Sequence, residues 1–515
     1  MAGREPSVKY KNPIIPGFYP DPSICRAGED YYIVNSSFEY FPGVPLFHSR
    51  DLINWRQLGY CLTRKTQLFF DNAARPSGIY APTIRHHEGT FYLITTNRND
   101  RGNFFVSSAD PATGWSEPVW LDQDGIDPSL FFDDGGKVYL QSTGEDCIIQ
   151  SEIDIATGKL FTKPKEIWGG TGGSYPEGPH LYKINGLYYL MIAEGGTEYG
   201  HMETIARSKS VWGPYEACPR NPILTHRSTL EPIQATGHAD MVEGPDGHWW
   251  AVFLGIRPNN KWKKYHTMGR ETFLAPVAWD RDGWPVIGDG GKAYLEMEGP
   301  LLRISGEQKT EEGGKLELKD DFDSPELDLQ WNFLRNPREN SWSLSDRRGW
   351  LCLKGLEATL NDIGSPAFIG RRQRHPECSV SALLDFNPSN INEEAGLTLF
   401  MDERHHYDIF IRRCGPERRV SLRKRIGDLT NETESEVLKD GAVILRVNIK
   451  REISYFTYIE PGGAERRLGQ GELKYLSSEV AGGFTGLFSA MFATGNGKKA
   501  VSPGCFAWFI YTGKE

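Results

Sequence analysis

One phrase returns five times in the first three hundred residues, and it narrows the possible folds more than any other feature. A corner begins each unit, usually a residue ahead of proline. An apolar alternating run follows, then a two-residue turn, then a second run. The corners are Pro20-Asp21-Pro22-Ser23, Tyr80-Ala81-Pro82-Thr83, Ile126-Asp127-Pro128-Ser129, Pro176-Glu177-Gly178-Pro179 and Gly237-His238-Ala239-Asp240. Glu88-Gly89, Gly135-Gly136, Asn185-Gly186 and Asp246-Gly247 supply the left-handed backbone that tight hairpins need. Units of roughly 50–60 residues, each with about four strands, predict a β-propeller of five blades. That domain is expected over residues 1–304.

The rhythm then stops. Residues 305–319 are polar and charged and predict a linker. From 320 to 515 short alternating strands resume without a repeat, which predicts a β-sandwich. An aromatic content of 12%, with Gly 56 and Pro 32, agrees with an all-β chain rich in turns. A formal net charge of −10 argues against a nucleic-acid partner. The arginine clusters at 371–374, 412–413, 418–419 and 423–425 are expected on exposed strand faces. No apolar run is long enough for a bilayer, and the N-terminal residues lack the apolar core of a signal peptide. The eight cysteines are scattered with no CxxC pair, so a reducing, cytoplasmic setting is expected. Self-association into a homo-oligomer is left open.

Inner strands of a propeller converge on one axis, so residues at their starts meet. Asp21, Asp127 and Glu177 are therefore expected in one axial cleft. Crowded carboxyls push each other's proton affinities apart, and glycoside hydrolysis needs one protonated and one ionised group. Arg270 offers a guanidinium fork for a sugar hydroxyl, or a salt bridge to Glu271 or another acid. His238 is expected to reach the axis; a lone histidine is a weak metal signal. The run Gly169-Gly170-Thr171-Gly172-Gly173 lacks a phosphate-loop pattern and predicts a mobile loop beside the cleft. His86-His87 and His405-His406 are expected in solvated turns. GxSxG and HExxH motifs are absent.

Through these segments, with Phe38-Glu39-Tyr40-Phe41-Pro42-Gly43 and Gly269-Arg270-Glu271-Thr272, the chain resembles glycoside hydrolase family 43 over nearly its full length. The resemblance is to two-domain α-L-arabinofuranosidases and β-xylosidases. It implies a five-bladed propeller followed by a concanavalin-like sandwich, and an inverting single displacement. Asp21 would be the general base, Glu177 the general acid, and Asp127 the carboxylate that tunes and orients the acid. Arg270, Phe38 and Tyr80 would bind the sugar. Phe488 would reach over the site from the second domain, closing the cleft to a pocket suited to exo action. His238 would stand near the axis, where calcium or water is held in the family, although no cofactor is required. Tyr80 and Thr83 resemble the arabinofuranosidase subgroup rather than the xylosidase branch. The expected activity is exo-release of terminal α-L-arabinofuranosyl units, with β-D-xylosyl units as further substrates, from hemicellulose-derived oligosaccharides. The rivals are a β-D-xylosidase acting on xylo-oligosaccharides, an endo-arabinanase, and a non-catalytic sugar-binding propeller.

Overall fold

The computed structural model describes residues 7–514, apart from 71–72, 75, 261, 263 and 301–314. Five antiparallel sheets follow one another along the chain, led by Ser23–Ala27, Thr83–His87, Ile126–Phe132, Glu177–Ile184 and Gln234–Glu243. Each is one blade of a propeller. The expected hairpins form where the sequence places them. Ile184 pairs with Leu187 around Asn185 (φ 51°) and Gly186 (φ 79°), a turn that only such residues enter cheaply. The ring closes on its last blade. Ser7–Lys11 pairs with Glu296–Pro300, and the Asn12 amide brackets Leu274, donating to its carbonyl at 2.9 Å and accepting its N–H at 2.9 Å.

Pro22 and Pro82 stand just ahead of their inner strands, whereas two corner prolines lie inside theirs, at bulges. Pairing slips between Ile126 and Ser129 and again between Glu177 and His180. Pro128 and Pro179 occupy those slips, where the ladder asks for no N–H.

Below the corners a buried polar hub joins four blades. The Asp240 carboxylate accepts from Ser23 Oγ (2.6 Å), Ile24 N–H (3.0 Å), Arg85 (2.7 Å) and Tyr182 Oη (2.7 Å). These bonds and the Arg85 charge hold the Asp240 carboxyl well below the usual range, outweighing its burial. The apolar cores lie between blades, and each fully buried Leu, Ile or Phe there stabilises the fold by about 1.5–3 kcal/mol.

The second domain is a sandwich of two antiparallel sheets around Leu384, Leu397, Ile409, Leu445, Phe456 and Phe509. Most of the expected linker falls within 301–314, outside the described residues. Its last five residues are instead strand: Lys315–Asp320 pairs with Gly504–Lys514 and opens the sandwich. Several other expectations need correction. Arg371 and Arg372 are buried where the domains meet, Arg372 donating to the Phe18 carbonyl at 2.8 Å. His405 and His406 are buried in a strand, the latter 2.8 Å from Asp408. His86 and His87 end a strand instead of forming its turn. Cys352 and Cys505 face each other across adjacent strands and form a disulfide, a pairing that 153 residues of separation conceal. Among the described residues, no helix is long and apolar enough to cross a membrane.

Candidate active site

The site begins with backbone strain. Asp21, Asp127, Gly178 and His238 share nearly one conformation, with φ of 51°, 52°, 60° and 52°. Each stands two residues before an inward position: Ser23, Ser129, His180 and Asp240. Left-handed backbone costs a residue with a Cβ on the order of 1–3 kcal/mol, and such strain gathers at functional sites. Glu177 is thus offset by one from the two aspartates, and Gly178 fills the corner in its blade. The His238 ring explains the glycine, since a Cβ there would lie 2.9 Å from that ring.

Asp21 is 5% exposed and fully engaged. Arg270 donates from Nη1 to Oδ1 at 2.6 Å, and Ser36 Oγ bonds Oδ2. Of the two roles open to Arg270, the structure therefore shows a salt bridge, to Asp21. Glu271 is paired instead with Arg257 at 2.7 Å. The same Arg270 nitrogen reaches Thr197 Oγ1 at 3.0 Å. Asp127 accepts the N–H of Gly178 and is buried; burial first, then the charges of Glu177 and Asp21, push its carboxyl well above the usual range. Glu177 keeps a window onto the cleft, yet protein crowds its carboxyl. Burial and then the Asp21 charge raise it to about 7, with Arg270 opposing. Three carboxyls distant in sequence thus act on one another, two of them with raised proton affinity.

The walls are aromatic. Phe38 (φ 47°) is exchanged in a two-way backbone bridge with Ile79, and its ring lies 5.3 Å from that of Tyr80. Gly78 makes this possible: a Cβ there would sit 2.1 Å from the Phe38 carbonyl oxygen. The aromatic expected to reach over from the sandwich was Phe488. That ring is instead wholly buried and stacked on Tyr40 at 3.9 Å. Phe484, four residues earlier, takes the outer place. Its ring lies 5.8 Å from Phe38 and 5.6 Å from the Arg270 guanidinium, and its carbonyl accepts from Arg270 at 3.4 Å. The Gly-Phe-Thr-Gly tetrapeptide 483–486 carried that signal, since its glycines allow the segment to press close: a Cβ on Gly486 would lie 2.6 Å from the Met268 carbonyl oxygen.

Thr83 is buried at the head of the second blade's inner strand. The His238 ring lies against Gly178, and burial lowers its proton affinity. Among the described residues, no group of three or more His, Cys, Asp or Glu side chains is arranged to hold a metal ion. The glycine run 169–173 does not hang free beside the cleft; it is fastened to the buried carboxylate of Glu194.

A propeller axis carrying three interacting carboxyls, an arginine fork and aromatic walls defines a glycoside hydrolase. The family model for glycosyl hydrolases family 43 matches residues 10–285, and that for the β-xylosidase C-terminal concanavalin A-like domain matches 319–512. The chain belongs to glycoside hydrolase family 43. It is 44% identical to the non-reducing end α-L-arabinofuranosidase BoGH43B of Bacteroides ovatus, over 98% of this chain and 94% of that one. It is 38% identical to a xylosidase/arabinosidase of Butyrivibrio fibrisolvens, over 98% and 99%. Among solved structures, a xylan β-1,4-xylosidase from Bacillus halodurans C-125 superposes with a TM-score of 0.91 at 37% identity, covering 98% of this chain and 100% of that one.

Proposed function

We propose that this enzyme removes terminal α-L-arabinofuranosyl units, and β-D-xylosyl units as second substrates, from hemicellulose-derived oligosaccharides with inversion. The carrying observation is the division of labour between two carboxyls. Glu177 holds its proton up to about pH 7, while Asp21 is ion-paired with Arg270. Glu177 gives its proton to the glycosidic oxygen as the bond to the anomeric carbon breaks. Asp21 takes a proton from a water that attacks that carbon from the opposite face. Asp127 hydrogen-bonds the backbone beside Glu177 and orients the acid. Arg270, Phe38, Tyr80 and Phe484 cluster beside Asp21 and would receive the terminal sugar, and the sandwich segment that lays Phe484 over Arg270 supports exo action over an endo-arabinanase.

The named activities of the Bacteroides and Butyrivibrio relatives support arabinofuranoside first and xyloside second. The β-xylosidase rival rests on the Bacillus halodurans structure. Side-by-side kcat/KM on 4-nitrophenyl α-L-arabinofuranoside and β-D-xylopyranoside separates the two, and a dominant xyloside rate would overturn the order. Binding of oligosaccharides without turnover would make the chain a lectin-like propeller. Glu177→Ala is expected to slow unactivated oligosaccharides by about 10²–10⁴-fold, the usual worth of a general acid. Activated aryl glycosides, whose leaving groups need no proton, should suffer much less. Equal losses would remove Glu177 from the acid role.

A further inference from the structure

The acid–base scheme leaves the glycine run 169–173 unused, yet the run is built around one side chain. Glu194 ends the strand Leu187–Glu194, one residue past Ala193, which pairs with Glu177. Its carboxylate is wholly buried. It accepts the Thr171 N–H at 2.9 Å, the Thr171 hydroxyl at 2.9 Å, the Gly173 N–H at 2.8 Å and the Thr204 hydroxyl at 2.6 Å. The glycines are what let the backbone wrap an anion so closely. A Cβ on Gly170 would come 2.6 Å from Oε1, and one on Gly173 would come 3.0 Å from it. Backbone N–H groups two residues apart converge on one carboxylate, much as backbone amides elsewhere bind phosphate; here the anion belongs to the protein. The fastening continues toward the acid: the Gly195 N–H donates to the Ser174 carbonyl at 2.7 Å. Tyr175 (φ 54°) follows with its ring against Gly196, and then Pro176 leads into Glu177. Ser174, Tyr175 and Pro176 are thus held in turn by a hydrogen bond, a ring contact and proline geometry.

We propose that Glu194 is a positioning residue for the proton-donating step, clamping the segment 171–176 so that the Glu177 carboxyl stays aligned with the leaving oxygen. This rests on Glu177 being the general acid. Glu194→Gln keeps the shape but turns an NH2 group toward donors. Thr204→Val removes a single donor and leaves the loop bonds in place. Both are to be assayed with wild type and Glu177→Ala on a series of aryl glycosides of graded leaving-group acidity and on an unactivated oligosaccharide. Misplacement of a catalytic group by about an ångström costs on the order of 10²-fold. Glu194→Gln should therefore lose roughly that factor in kcat on the oligosaccharide, with KM little changed, and less than about threefold on the most activated glycoside. Thr204→Val should shift in the same sense by a smaller factor. An equal loss across all leaving groups, or none in a folded Glu194→Gln, overturns the proposal. Should Glu194→Gln fail to fold, Thr204→Val decides, and a loss independent of leaving group then counts against it. A Glu177→Ala profile without leaving-group dependence would instead sink the acid assignment itself.

Discussion

Glu177 shows how a single residue carries function at the expense of stability. Its carboxyl titrates at about 7 in the folded protein against 4.5 when free, because burial and the neighbouring Asp21 charge both resist ionisation. The folded state therefore binds this proton more tightly than the unfolded one. The associated stability is complete below about pH 4.5 and is lost as pH rises through about 7. Glu177→Gln should accordingly raise the melting temperature at pH 8 and change it little near pH 4. The gain at pH 8 is ~1–3 kcal/mol, read by thermal denaturation at the two pH values. In the wild type, kcat/KM should fall along an alkaline limb as the same proton leaves. Both features were accessible from the type of residue and its company, once Asp21, Asp127 and Glu177 were assumed to meet. The offset of Glu177 by one residue emerges only when the units are aligned on Pro22, Pro128 and Pro179, each of which follows a left-handed corner, instead of on their acids.

The segment after the short helix Ser478–Ala481 divides two aromatic roles between Phe484 and Phe488. Glu479 in that helix pins the segment to the propeller, accepting the His266 backbone N–H at 3.1 Å and meeting its ring at 2.8 Å. Phe484 then lies over Arg270, while Phe488 opens a strand and packs on Tyr40 inside the interface. Phe484→Ala should raise KM by about tenfold, the worth of a partly desolvated cation–π contact and its pocket wall, with the melting temperature nearly unchanged. Phe488→Ala should do the reverse, costing about 3–5 kcal/mol of stability through the cavity it leaves. Steady-state kinetics and thermal melts on the two variants separate the roles. The family resemblance suggested Phe488, four residues from Phe484 in the same segment; only packing distinguishes wall from core.

At the scale of the whole molecule, the sandwich is joined to the propeller by Arg335. It is wholly buried and donates to the Ala73 carbonyl at 2.8 Å and the Gly364 carbonyl at 2.9 Å, while pairing with Glu403. The adjacent strand Phe333–Leu334 pairs with Tyr40–Phe41 of the first blade. Removing one partner of a buried ion pair leaves the other charge uncompensated, at about 3–5 kcal/mol. Arg335→Ala should therefore lower the melting temperature and, by loosening the wall at Phe484, raise KM as well. A melt that falls with KM untouched would mean the pocket does not depend on this joint.

The amino-acid sequence by itself determined the blades, their hairpins and the identity of the chemical groups. Periodicity, turn residues and proline corners are local properties, so they survive in one dimension. Tertiary structure decided what those groups do to each other. It gave Arg270 to Asp21, placed Phe484 rather than Phe488 at the wall, buried Arg372 and His406, and turned a glycine run into the clasp of Glu194. Each of these depends on contacts between elements far apart in the chain. Burial and electrostatic coupling are set by distance in space, which residue spacing does not encode.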